Sequence, residues 1–172
     1  MTRIYVGPTA VYSLGQVGEL SLLSSFDGDV AIPEPVVDES TVEPTATNLD
    51  DLLDGDDAAE TTDHGEQVER AESLLGEKDV GSAVAVLAGV LAHRDPEDRS
   101  AVAVVSEDRT VRRMARGLGA EVTSSFGVVV RATLEDKYLS QTQAKRIVRR
   151  IDQHGTHLTG ELRERAVGEI SE

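Results

Sequence analysis

The sequence predicts an α/β fold, a three-layer α/β/α sandwich with a mostly parallel central sheet. Three observations predict it. Short apolar runs of strand length alternate with helical patterns along most of the chain. The run Ala101-Val-Ala-Val-Val105 is apolar throughout, as strands covered on both faces are. Acidic residues Glu107 and Asp108 follow it directly, at the carboxyl end where open parallel sheets place their functional sites.

The elements follow in order. Ile4 to Val6 reads as a first strand, ended by Gly7 and Pro8, since proline cannot donate to a sheet ladder. Val11, Leu14 and Val17, then Leu20, Leu22 and Leu23, predict short helices before a second strand at Val30 to Ile32. Pro33 and Pro35 then suit a proline-initiated helix over the next turn. The stretch 40–66 is dense in aspartate and poor in large apolar residues, which predicts an extended or partly mobile acidic insertion. Residues 67–75 and 79–93 read as helices, the second rich in alanine and valine and closed by Pro96.

After the strand at 101–105, a helix over 110–118 places Val111, Met114, Ala115 and Leu118 on one face and leaves Arg109, Arg112, Arg113 and Arg116 outside. Residues 120–123 form a short last strand. The valine cluster around Phe126 suits a core or a subunit interface better than a base-stacking platform, with one aromatic present. Ser140 and Gln143 make a capping box that opens a helix with the apolar stripe Ala144, Ile147, Val148 and Ile151. A final helix is expected from Thr159, carrying Leu162, Ala166 and Ile170. One domain spans 1–135 with the acidic insertion inside it, and 136–172 is a helical extension packed on the same domain.

The formal net charge is −15, with 32 acids against 17 bases. An acidic surface this poor in lysine resembles that of proteins from salt-loving archaea, a statement about solvent more than about partners. The charge is unevenly spread: residues 27–79 hold 18 acids and two bases, whereas 99–150 hold 11 bases and five acids. Three of those 11 bases, Arg112, Arg113 and Arg116, lie on one helix. That arginine face, with Arg109 beside it, suits RNA phosphates or, equally, a solvated helix face paired with the acidic insertion. In a sharper version the insertion lies across those arginines as an internal mimic of nucleic acid. The chain has no cysteine, which excludes disulfides and thiolate ligands, and no apolar run approaches a membrane span, so a cytoplasmic protein without membrane contact is expected.

The acids that could converge at the strand ends are Asp38 or Glu39, Asp79, and Glu107 with Asp108. Clustered carboxylates are hard oxygen ligands suited to Mg²⁺ or Mn²⁺ held together with substrate phosphates, the donor set of metal-assisted phosphodiester hydrolysis. Asp108 has a second reading as the cap of the helix it precedes. His154 and His157 stand three apart around Gly155 with no third ligand in view, so zinc is not expected.

In four stretches, IYVGPTA at 4–10, VAIPEPVVDE at 30–39, VVSEDR at 104–109 and GAEVTSSFGVVVRA at 119–132, the chain resembles the PIN-domain ribonucleases, especially a group of prokaryotic PIN-like proteins. The resemblance covers nearly everything outside the acidic insertion. It implies a metal-dependent endoribonuclease with RNA as substrate, in some members the toxin of a toxin-antitoxin pair with an antitoxin-like protein partner, and commonly a homodimer. It also implies a catalytic metal set of Glu39, Asp79 and Asp108, with Glu77 as the competitor of Asp79. Gly7, Thr9, Ser106 and Glu107 then line the cleft. The family's first metal aspartate ends the first strand, where this chain has Gly7. The resemblance therefore implies a degenerate site with weak or lost catalysis, as against an active toxin or a non-catalytic RNA- or protein-binding module.

Overall fold

A five-stranded, all-parallel sheet organises the chain in the order β3-β2-β1-β4-β5. The computed structural model describes residues 2–61, 65–76, 81–134 and 139–153. Its central strand, β1 (Thr2–Val6), is followed by α1 (Pro8–Gln16), which Pro8 opens, and by a 3-10 helix at Leu20–Ser25. Next come β2 (Gly28–Pro33) and the short α2 (Glu34–Glu39).

The segment expected to be an extended acidic insertion is instead part of the fold, as α3 (Thr45–Asp54) and β3 (Ala58–Thr61). Strand β3 pairs in parallel with β2 from Val30↔Ala58 to Pro33↔Thr61 and forms one edge of the sheet. An edge strand needs only one neighbour and tolerates charge, so Ala58-Ala-Glu-Thr61 serves there although it lacks the apolar density of a central strand. Helix α3 docks on α1 through Leu49, buried, and through Thr45, whose Oγ1 accepts from Gln16 Nε2 at 3.0 Å. Asn48 Nδ2 adds a 2.8 Å bond to the carbonyl of Gly15.

The chain continues through α4 (Gly65–Leu75) and α5 (Ser82–His93), then β4 (Val102–Val105), α6 (Arg109–Gly117), β5 (Glu121–Thr123), α7 (Ser125–Leu134) and α8 (Gln141–Gln153). Successive side chains of a strand point to opposite faces, and β1 shows both layers. Tyr5 lies under α5, where a Cβ on Gly89 would come within 2.4 Å of its ring, so only glycine lets the helix approach so closely. The other face receives α1, α7 and α8, which contact one another. The predicted capping box is present: Gln143 N donates to Ser140 Oγ at 3.2 Å and Ser140 N to Gln143 Oε1 at 2.9 Å, while Ala144, Ile147, Val148 and Ile151 are all buried.

Helix α6 packs on β5 and α5, at the edge opposite β3. At about 4.8 Å per strand, the acidic edge and the arginine helix stand four spacings apart, roughly 19 Å. The idea that the acidic segment lies across those arginines is thereby corrected, because β3 is held in the sheet on the far side. Among the described residues no helix is long and apolar enough to cross a membrane. Asp79 and Glu77, His154 and His157, and the helix expected from Thr159 lie outside the described residues.

Candidate functional site

The strand order reverses between β1 and β4, so the crevice at their carboxyl ends is the place where this topology positions a site. The two ends are tied together by a 2.9 Å bond from Gly7 N to the carbonyl of Val105. Gly7 itself is extended, at φ −82° and ψ 168°, a conformation open to any residue. A Cβ built there would meet Ser106 Oγ at 3.4 Å, ordinary van der Waals contact. The backbone therefore does not demand glycine, and a Cβ at position 7 would stand beside Ser106.

Ser106 is buried and directly follows β4. Its Oγ accepts from Asp108 N at 3.1 Å, which shapes the loop that presents Asp108. Asp108 is exposed and caps α6: its Oδ1 accepts from Thr110 N at 2.8 Å and Val111 N at 3.0 Å. Two of the helix's orphan N–H groups are satisfied this way. Gly7, Ser106 and Asp108 thus form one cluster.

Thr9 and Glu39 meet at a second place. With Pro8, Tyr12, Ser40, Val42 and Thr45 they line a cavity of about 280 Å³ where α1, α2 and the start of α3 converge. Glu39 also accepts from Ser82 Oγ at 3.3 Å. Ser82 is buried at the first turn of α5 and was not among the residues expected in the site. The sequence offered one signal, Gly81 before Ser82 as a helix start, which the expected start at Asp79 concealed.

One expectation changes. Glu107, expected to line the cleft, has its Oε1 accepting from Ser125 N at 2.6 Å and from the Ser125 hydroxyl, at the amino terminus of α7, where a carboxylate complements the helix dipole. Its Oε2 is buried with no hydrogen-bond partner among the described residues. Arg112 was expected on the exposed basic face. It is instead half-buried, with Nη1 donating to the carbonyl of Ser106 at 2.8 Å, and burial, then Arg116, lowers its pKa while Glu107 opposes that shift. Arg109, Arg113 and Arg116 remain exposed.

A divalent ion bound by protein alone needs several oxygen ligands at once, carboxylates foremost. Among the described residues no three His, Cys, Asp or Glu side chains group closely enough to hold one. The expected metal acids within the described residues are Glu39, beside Ser82, and Asp108, already half committed to its helix, while Asp79 and Glu77 lie outside them. Two carboxylates of this kind would hold Mg²⁺ or Mn²⁺ only together with water and substrate phosphates.

No curated protein and no solved structure matches the chain. A family model described as a PIN domain matches residues 7–172, from the glycine that ends β1 through the last residue of the sequence. PIN domains form a nuclease-like superfamily whose members generally depend on divalent metals and often bind RNA. With the match covering nearly the whole chain and the parallel sheet flanked by helices, this protein belongs to the PIN domain family.

Proposed function

We propose that this PIN domain is a degenerate relative of the metal-dependent ribonucleases, its catalysis weak or lost, and that it acts by binding RNA. One observation carries the reading. At the carboxyl end of β1, beside Ser106 and in the strand-end crevice, the chain has Gly7 in a conformation that would accept an aspartate. Losing a carboxylate from a small acidic cluster removes both a ligand and a unit of charge, so affinity for a divalent ion falls. RNA binding falls to Arg109, Arg113 and Arg116, exposed on α6 directly after the crevice loop, while Arg112 holds that loop in shape.

The test is cleavage of single-stranded RNA in Mn²⁺ by the wild type, Asp108→Asn and Gly7→Asp. Asparagine caps a helix as well as aspartate does, so Asp108→Asn removes a charge without removing the cap of α6. The wild type and Asp108→Asn are expected to be equally inactive. Calorimetry should show Gly7→Asp binding Mn²⁺ more tightly than the wild type, by at least the roughly 10–100-fold that supporting residues alone carry at metal sites. Cleavage by the wild type that Asp108→Asn abolishes would overturn the reading and restore an active endoribonuclease.

A further inference from the structure

The cavity of about 280 Å³ between α1, α2 and the start of α3 has a chemistry opposite to that of the α6 arginines. Among the described residues no lysine, arginine or histidine lines it. Pro8, Tyr12 and Val42 give it apolar and aromatic walls, and Thr9 and Glu39 bring a hydroxyl and a carboxylate. Thr9 and Tyr12 are three residues apart on α1, so they are neighbours on its surface. Val42 is 55% exposed, an open apolar side chain at the rim.

The walls are held in place. Buried Thr45 accepts from Gln16 Nε2 at 3.0 Å and donates its hydroxyl to the Tyr12 carbonyl at 3.4 Å, which joins α3 to α1. Glu39 is exposed, yet Ser82 Oγ donates to its Oε2 at 3.3 Å and so gives the carboxylate a direction. The cavity also adjoins the strand-end crevice. Pro8 follows Gly7, whose N–H is bonded to the Val105 carbonyl, and Ser106 to Arg109 come directly after Val105.

Pockets for drug-sized ligands run from about 300 to 1,000 Å³, so this smaller cavity suits one planar ring system. A phosphate would meet the charge of Glu39 with no cation beside it in the cavity, so the part of an RNA that suits this place is a base. Single-stranded RNA is commonly read in this way, by bases splayed onto aromatic side chains and hydrogen-bonded at their edges.

We propose that the cavity takes one unpaired guanine, an inference that rests on the RNA-binding reading above and names what that site reads. A carboxylate can only accept. Guanine alone among the four bases offers two adjacent donors on its Watson–Crick edge, N1–H and the N2 amino group, which match the two oxygens of Glu39. Adenine and cytosine place a ring-nitrogen lone pair beside their amino group, and uracil flanks its N3–H with two carbonyls. Each would set a lone pair against the carboxylate. Tyr12 supplies the ring for stacking, the Thr9 hydroxyl a donor for O6, and Arg109 a partner for the neighbouring phosphate.

The test is fluorescence anisotropy of the full chain at low salt, with a labelled uridine oligonucleotide whose central residue is uridine, guanosine, inosine, adenosine or cytidine. Guanosine should bind more tightly than all-uridine RNA by roughly 5–150-fold, the discrimination that one bidentate pair gives. Inosine, which keeps N1–H but lacks the N2 amino group, should fall between them. Glu39→Gln preserves side-chain size but turns one acceptor into a donor, so it should bring the guanosine affinity down to that of all-uridine RNA. Tyr12→Phe should keep the preference and Tyr12→Ala should lose it, since stacking needs only the ring. Arg113→Gln should weaken every oligonucleotide alike. Equal affinity of the wild type for all five RNAs, lowered by Arg113→Gln, would overturn the guanine site and leave the RNA-binding reading standing. A guanosine preference that survives Glu39→Gln would also overturn the site, and binding of none of the five would overturn both readings.

Discussion

At the residue scale, several side chains serve structure where their type suggested chemistry. Asp108 was legible both as a site acid and as a helix cap, and the cap is what its hydrogen bonds display. Glu107 and Arg112 follow the same pattern, one holding the start of α7 and the other the Ser106 carbonyl, because a carboxylate or guanidinium near a helix terminus finds backbone partners within reach. Sequence spacing places such groups near a strand end but does not say which way they turn. Tyr5 gives a residue-scale prediction. It is fully buried with its hydroxyl 2.9 Å from His93 Nδ1, and burial pushes its pKa up to about 12. The folded chain therefore keeps the phenolic proton at a pH where the unfolded chain, titrating near about 10, has lost it. Tyr5's contribution to stability is complete below about pH 10 and is lost as pH rises from there toward 12. Denaturant midpoints measured over that range should fall more steeply for the wild type than for Tyr5→Phe, which at neutral pH costs only the net worth of one hydrogen bond, about 1 kcal/mol. Equal slopes would assign the alkaline loss to other groups.

At the element scale, most of the fold was legible because most elements follow strong patterns. The strands at 4–6, 30–32 and 101–105, the helix with Val111 and Ala115, and the capping box at Ser140 all lie where their periodicity and caps put them. The acidic stretch was misread for an identifiable reason. Leu49, Leu52 and Leu53 are a helical stripe diluted by three aspartates in the same helix, and β3 is an edge strand that needs little apolar surface, so composition masked two real elements. The contact that fixes α3 is tight: a Cβ on Gly15 would lie 2.6 to 2.9 Å from three atoms of Thr45. Gly15→Ala should therefore destabilise the protein by about 1–3 kcal/mol, the usual range for overpacking. The loss should appear first as faster hydrogen exchange across α3 and β3, since this is the contact that seats them. A neutral Gly15→Ala would mean that the segment is only loosely draped on α1.

At the scale of the whole molecule, the sheet order turns an uneven sequence into a polarised particle. The β3 edge carries Asp50, Asp51, Asp54, Asp56 and Asp57, all exposed, while the opposite edge carries the arginines of α6. With a net charge of −15, self-repulsion among the acids opposes the compact state, and the five aspartates crowded at one edge contribute more than their number alone suggests. Salt acts on this repulsion directly, because the Debye length shrinks from about 30 Å at 0.01 M to about 3 Å at 1 M, shorter than the spacing between most surface charges. The proposed RNA binding through Arg109, Arg113 and Arg116 should respond in the opposite sense, its log affinity falling with log salt by about 0.7 for each phosphate contact made to a single strand. The two dependences separate stability from binding in one titration. The Tm of the wild type should rise steadily with NaCl across that range, and Asp→Asn at positions 50, 51, 54, 56 and 57 should raise Tm at low salt and flatten the curve. Each replacement removes one charge from an exposed side chain and no buried contact. If the five-fold variant kept the full salt dependence, the repulsion would have to be spread over the whole surface, and the acidic edge would carry no special share of it.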